Sequence, residues 1–161
     1  MTGERPPSRR AEAGRVPLPG SGDAMLSDLL WEVSSYVELR GEDALGDLPV
    51  TTASSGVLMT IYGSPGITIT EMSRLKPRSQ QAISHMVARL EKLGLVERRV
   101  GRGRTVELHA TEQGSALAEE AVAREEAVDR DIRDLLGNQA YETLRRSLLS
   151  SREVLRGRPD R

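Results

Sequence analysis

The apolar positions near the start of the chain recur at spacings of three and four residues, which is the period of an amphipathic α-helix. They are Met25, Leu26, Leu29, Leu30, Val33 and Val37. We expect this helix to begin near Ser21 or Asp23, either of which can cap it, and to end at Gly46 and Pro49. Residues 1–20 hold four of the eight prolines and few apolar residues, so they are expected to form a disordered tail.

Two shorter helices are predicted in the next part of the chain. Thr51 or Thr52 can cap the first, which runs until the turn-forming residues 63–66, Gly-Ser-Pro-Gly. Residues 68–71 read Thr-Ile-Thr-Glu and have the spacing of a capping box. In this motif the threonine hydroxyl accepts the backbone N–H of the glutamate, and the glutamate carboxylate accepts the backbone N–H of the threonine. The second of these helices is therefore expected at residues 69–75.

A fourth helix is predicted from Gln80 to Leu93, after the break that Pro77 imposes. Ser79 can cap its start and Gly94 can close its end. One side is apolar and is expected to lie in the core, with Ile83, Met86, Val87, Leu90 and Leu93. The other side is small and polar, with Arg78, Gln81, His85, Ala88 and Lys92, flanked by Ser84 and Arg89. Such a face can enter a major groove, although a solvated surface is the commoner role of a polar helix face.

Residues 95–100 and 105–109 alternate as strands do, and the glycines between them supply a turn, which predicts a β-hairpin. Four arginines lie within seven residues of it, namely Arg98, Arg99, Arg102 and Arg104. A solvated loop explains one arginine, whereas four on a thin ribbon suit insertion between phosphates or into a narrow minor groove. Two helices joined by a tight turn and followed by a basic hairpin predict a winged helix-turn-helix, a DNA reader.

The last third of the chain predicts two amphipathic helices. Thr111 caps a long helix that Gly137 ends, and Gln139 to Leu155 forms the last one. The apolar positions are Leu117, Val122, Val128, Ile132, Leu135 and Leu136 on the first, and Tyr141, Leu144, Leu148 and Leu155 on the second. A small DNA-binding module cannot cover these stripes alone, so we expect a second copy of the chain to do so in a homodimer.

The distribution of charge supports a nucleic-acid contact in the middle of the chain. The net charge is −1, but residues 50–110 carry 9 basic and 4 acidic groups, a net of +5, whereas residues 1–49 have a net of −4 and residues 111–161 a net of −2. Basic side chains that neutralise phosphates supply most non-specific affinity for DNA. Chance clustering is the alternative explanation.

Composition argues against several other classes of protein. The chain has no cysteine, which excludes disulfides, thiolate metal sites and thiol redox sensing. Its two histidines, His85 and His109, have no metal-ligand or triad spacing, so we expect no metal, no cofactor and no enzymatic activity. No apolar stretch is long enough to cross a bilayer, and a cytoplasmic location is expected. A winged helix that binds only proteins remains an alternative, which does not account for the central positive charge.

At this point two motifs resemble the multiple antibiotic resistance regulator (MarR) family of bacterial winged-helix repressors. Residues 83–98, ISHMVARLEKLGLVER, resemble the recognition helix of that family and the start of its wing. Residues 110–114, ATEQG, resemble the Leu-Thr-x-x-Gly sequence that begins its long fifth helix. The resemblance covers about residues 24–156. Two departures are a wing that is shorter and lacks an acid, and a histidine, His85, where arginine is common.

The resemblance implies a dimer that binds a near-palindromic operator on double-stranded DNA and releases it when a small phenolic or other organic ligand binds. The residues that would contact DNA are Arg78, Ser79, Gln80, Gln81, Ser84, His85, Arg89, Arg98, Arg99, Arg102 and Arg104. In the family the ligand lies between the dimer arms and the reader, where Trp31, Tyr36, Met59 and Tyr62 are candidate lining residues. Each of these four also suits a plain core position.

The expected fold is mainly α with a small β-hairpin wing. We assign residues 21–48 to an N-terminal dimerisation helix, residues 50–110 to the winged helix-turn-helix, and residues 111–156 to C-terminal dimerisation helices. Residues 157–161 would form a short tail.

Overall fold

The structure, a computed structural model, describes residues 24–75 and 78–157. Its helices are α1 (Leu26–Leu45), α2 (Thr52–Gly63), α3 (Ile69–Leu75), α4 (Gln80–Lys92), α5 (Glu112–Leu136) and α6 (Asn138–Arg156), and its strands are β1 (Val96–Val100) and β2 (Val106–Ala110). The predicted class, mainly α with one hairpin wing, is confirmed. The predicted tail at residues 1–20, the proposed caps Ser21 and Asp23, the break at Pro77 and residues 158–161 lie outside the described residues.

The chain divides into two compact units, residues 1–39 and residues 40–161. The described part of the first unit is most of α1, which begins at Leu26, a few residues later than predicted. Its apolar side chains are exposed, among them Leu26 at 72%, Leu39 at 62% and Val33 at 48%.

The core of the second unit is built from α2, α3, α4, the hairpin and the first half of α5. Its buried side chains are Val50, Val57, Leu58, Ile61, Ile67, Met72, Ile83, Val87, Leu90, Leu95, Val96, Leu108 and Ala118. One predicted core position is wrong: Leu93 is 37% exposed. Since α4 ends at Lys92, Leu93 is only its C-cap, and Gly94, with φ of +71°, turns the chain so that Leu95 fills the core instead.

The predicted starts of α2, α3 and α4 are confirmed by their capping hydrogen bonds. The hydroxyl of Thr51 accepts the backbone N–H of Ser54 at 3.3 Å, and the Ser79 hydroxyl accepts that of Ala82 at 3.2 Å. The capping box is complete, because Glu71 donates its N–H to the Thr68 hydroxyl at 3.2 Å and its carboxylate accepts the Thr68 N–H at 2.9 Å. These caps fix where α2, α3 and α4 begin.

The start of α5 lies directly against the beginning of the hairpin. The Thr111 N–H donates to the Leu95 carbonyl at 3.1 Å, and the Thr111 hydroxyl donates to the Gly94 carbonyl at 2.7 Å. Gly114 is buried, and a Cβ atom at this position would collide with the Leu95 carbonyl oxygen. The glycine of the ATEQG motif is therefore required by packing against the backbone of residue 95.

Replacing Gly114 by alanine is expected to destabilise the fold by about 2 kcal/mol or more, since the methyl group forces α5 away from Leu95. At an uncrowded helix position the same change stabilises by up to about 1 kcal/mol. Gly63→Ala is the matched control, because a Cβ built there meets no atom within 4 Å. Urea unfolding at one protein concentration measures both variants, and an unchanged midpoint for Gly114→Ala would contradict the close approach.

Glu71→Gln is expected to lower stability in a pH-dependent way. The backbone N–H and hydroxyl of Thr68 both bond the Glu71 carboxylate and hold its pKa below the usual value. The charged form therefore stabilises the fold above the ordinary glutamate pKa of about 4.3, and this contribution is lost as the pH falls through the lowered folded pKa. Thermal unfolding from pH 7 to pH 3 should show the difference between the two proteins shrinking; a constant difference would refute the linkage.

Candidate nucleic-acid interface

The helix α4 presents a polar face because its apolar face is fixed in the core. Ile83, Val87 and Leu90 are at most 1% exposed, so the opposite side of the helix must face solvent. The predicted contacts Arg78, Ser79, Gln80, Gln81, His85 and Arg89 are all exposed, and Ser84 is half-buried. The structure therefore brings the predicted contacts of this helix together on one accessible surface.

The two arginines of β1 point to opposite faces of the hairpin, because side chains alternate along a strand. Arg98 shares its face with Val96, the face that turns toward α4, and its Nε donates to the Glu91 carboxylate at 2.9 Å. Neither terminal nitrogen of Arg98 donates a hydrogen bond to any described residue. The Arg98 guanidinium is thus bonded through Nε, and its two terminal nitrogens can donate to another group.

Arg99 lies on the outer face of the hairpin among acidic groups. Its Nε and Nη2 both donate to the Glu97 carboxylate, at 2.8 and 2.5 Å, and Glu107 is its direct partner across the hairpin. His109 shares this face, with Nε2 3.5 Å from the Glu107 carboxylate. The structure therefore separates Arg99 from Arg98, which the sequence placed in one group.

The tip of the wing is a single turn, Arg102–Arg104, between the two strands. The Gly101 N–H donates to the Thr105 carbonyl at 2.8 Å and closes the turn. Gly103 and Arg104 have φ of +68° and +62°, and a left-handed conformation costs a residue such as arginine roughly 1–2 kcal/mol. Both tip arginines are exposed and form no ion pair within the described part of the chain.

Two features of the wing were missed in the sequence. Val100 and Val106 are paired across the hairpin next to the tip and are 82% and 46% exposed. They form a small exposed apolar surface beside the basic turn. The carboxylate of Glu107 packs directly on Gly101, where no Cβ could fit. Residues 100–105 contain no acid, and Glu107 of β2, which follows them, contacts Gly101 and pairs with neither tip arginine.

The four candidate ligand residues fall on two helices. Trp31 and Tyr36 belong to α1 and are 70% and 60% exposed. On α2, Met59 is half-buried and Tyr62 is 36% exposed. The Tyr62 hydroxyl donates to the Glu119 carboxylate at 2.5 Å, and this hydrogen bond raises the pKa of the tyrosine.

Within residues 24–75 and 78–157, no cluster of three or more histidine, aspartate or glutamate side chains could hold a metal ion. Over the same residues, no helix is both long and apolar enough to cross a membrane.

The apolar face of α4 is buried, its polar face is exposed, and a basic hairpin lies beside it. This arrangement is that of a DNA-binding winged helix-turn-helix protein. A sequence model of the MarR family matches residues 48–104. The transcriptional repressor Rv2887 of Mycobacterium tuberculosis is 32% identical over 109 residues, which cover 66% of this chain and 78% of that protein. The chain belongs to the MarR family, and it is a DNA-binding transcriptional regulator and not an enzyme.

Two solved structures support the same assignment. The M. tuberculosis MarR family protein Rv2887 in complex with DNA aligns with a TM-score of 0.64 and 26% identity, over 80% of this chain and 98% of that one. The same protein in complex with salicylic acid aligns with a TM-score of 0.65 and 28% identity, over 80% and 97% of the two chains.

Proposed function

We propose that this chain is a repressor that binds a near-palindromic operator as a homodimer and releases it when a small organic ligand binds. In each subunit α4 lies in a major groove, and the two recognition helices are about one helical turn, or 34 Å, apart along the DNA. The observation that carries this proposal is the exposed polar face of α4 beside a basic wing whose tip arginines have no acidic partner in the described chain.

Dimerisation is supported by apolar surface that the single chain leaves open. On α6, Leu144, Leu148 and Leu155 are 40%, 46% and 70% exposed, and Leu135 at the end of α5 is 68% exposed. The apolar side chains of α1 are exposed as well, and exposed apolar side chains grouped on a helix are typical of surfaces that another protein covers. We assign residues 21–48 and 111–156 to the dimer and residues 50–110 to the DNA.

The operator sequence provides the most direct test of the proposed dimer symmetry. Selection of bound duplexes from a random DNA pool is expected to return an inverted repeat, because a two-fold symmetric dimer reads two equivalent half-sites. The spacing of the half-sites then measures the distance between the recognition helices. Recovery of a single, non-repeated site, or of no enriched sequence at all, would refute the proposed symmetric repressor.

Replacing Arg102 and Arg104 together by alanine is expected to weaken binding to all sequences. The reason is the loss of contacts to phosphates or the minor groove, so the slope of log K against log salt should fall by about one for each arginine that contacts a phosphate. Arg99→Ala is the control within the same hairpin, because its guanidinium already bonds Glu97. Fluorescence anisotropy over a salt series measures both; equal effects per arginine would contradict the assignment of the tip.

Gln81→Ala is expected to change sequence preference and to leave the salt slope unaltered. A glutamine in the major groove discriminates adenine through paired hydrogen bonds worth about 1–3 kcal/mol. Repeating the selection with this variant should relax one position in each half-site. An unchanged preference for Gln81→Ala removes that residue from base recognition.

Ligand control is supported by the salicylic acid complex of the M. tuberculosis relative. Trp31, Tyr36, Met59 and Tyr62 are each candidate contacts for a small phenolic or other organic ligand. Since the chain has no cysteine, a thiol oxidation switch is not available to it. Titration of salicylate into the protein–DNA complex tests the proposal, with loss of anisotropy as the expected result.

A further inference from the structure

Glu91 lies at the border between the polar and the buried faces of the recognition helix. Glu91 follows Ser84 by seven residues, which places it about 20° from Ser84 around the helix and two turns along it. Glu91 also lies about 40° around the helix from the buried Val87 and is, like Ser84, half-buried.

The contact of Glu91 with Arg98 gives this acid a role. The Glu91 Oε1 accepts the Nε–H of Arg98 at 2.9 Å, and the two side chains are 29% and 39% exposed. Because only Nε is engaged, both terminal nitrogens of the guanidinium remain available. Arg99 differs, since Glu97 engages its Nε and a terminal nitrogen together.

We propose that Glu91 is a positioning residue that holds Arg98 in the orientation in which its terminal nitrogens bind a phosphate. This inference rests on the proposed function, because it requires Arg98 to contact DNA. A guanidinium presents several donors in a rigid fork, so one edge can bond a carboxylate while the other bonds a phosphate. The arginine side chain is then ordered before DNA arrives, and less rotamer freedom is lost on binding.

The position of the pair determines which phosphate it serves. Glu91 lies in the last turn of α4 and Arg98 in the middle of β1, so their bond joins the recognition helix to the wing. A phosphate bound there lies between the major groove that α4 enters and the groove that the wing tip reaches. The phosphate contact of Arg98 therefore fixes the positions of α4 and the wing along the DNA backbone, and it does not distinguish between bases.

The test compares two substitutions that remove the same charge. Glu91→Gln keeps an oxygen that accepts the Arg98 Nε–H, whereas Glu91→Ala removes it. Any gain in affinity from removing a negative charge is common to both variants and cancels in the comparison. Both are measured by anisotropy with a random-sequence 30-base-pair duplex, since a phosphate contact does not depend on the operator.

We expect Glu91→Ala to bind DNA about fivefold more weakly than Glu91→Gln. This is the effect expected from the loss of one hydrogen bond to a DNA phosphate. Its salt slope should also fall toward that of Arg98→Ala, while Glu91→Gln keeps the slope of the wild type. A purely structural role would leave the slope unchanged. Thermal unfolding of both variants identifies any difference that comes from stability.

The same comparison in an Arg98→Ala background isolates the pair. There the alanine and glutamine variants should bind equally, because the side chain that Glu91 positions is gone. Glu97→Ala and Glu97→Gln are the matched controls on the outer face and should not differ from each other in affinity.

Two failures are distinguishable. Equal binding by Glu91→Ala and Glu91→Gln when Arg98 is present, or a difference that persists when Arg98 is absent, overturns the positioning role. An Arg98→Ala variant with wild-type affinity and slope shows instead that Arg98 does not contact DNA, which removes this part of the proposed interface as well. A salt-independent wild-type protein would refute the DNA-binding proposal as a whole.

Discussion

The close contact of Leu95, Thr111 and Gly114 is the point on which the rest of the domain depends. Leu95 lies between the end of α4 at Lys92 and the start of β1 at Val96, and Thr111 lies between the end of β2 at Ala110 and the start of α5 at Glu112. The Leu95 side chain is buried, its carbonyl accepts the Thr111 N–H, and Gly114 leaves no room between the two backbones. This junction therefore sets the orientations of α4, the wing and α5 relative to one another.

From that junction, the alternation of side chains along β1 sorts the charges of the wing. The face that turns toward α4 carries Arg98, and the outer face carries Arg99 with the acids Glu97 and Glu107. Arginines without an acidic partner among the described residues of the hairpin are thus confined to the tip. A basic count for the hairpin overstates the surface that can contact phosphates, because Arg99 bonds Glu97 through both Nε and a terminal nitrogen.

Elements with strong local signals were predictable from the sequence. The hydroxyls of Thr51, Ser79 and Thr111 cap helices, and Gly94 and Gly137 adopt positive φ, because these choices are made by residues near in the chain. The partner of Arg98 was not predictable, since Glu91 is brought to it only when β1 folds back beside α4. Leu93 was misassigned for a related reason: helical spacing cannot tell where the last turn stops. The DNA and ligand contacts remain predictions.

The long helix α5 contacts the residues just before the winged helix-turn-helix as well as the Leu95 junction. Beyond the Leu95 junction, its Arg124 donates to the Ala44 carbonyl at 2.8 Å and pairs with Asp47, which raises the pKa of the arginine and lowers that of the aspartate. Glu119 and Glu125, on either side of Arg124 in α5, accept hydrogen bonds from Tyr62 and Ser55 of α2, at 2.5 and 3.3 Å. These hydrogen bonds connect α5 to α2, to the residues just before α2 and to the start of the hairpin. Under the proposed mechanism, a ligand that moves α5 therefore shifts α4 and the wing together, and the spacing of the two readers changes while each reader keeps its shape.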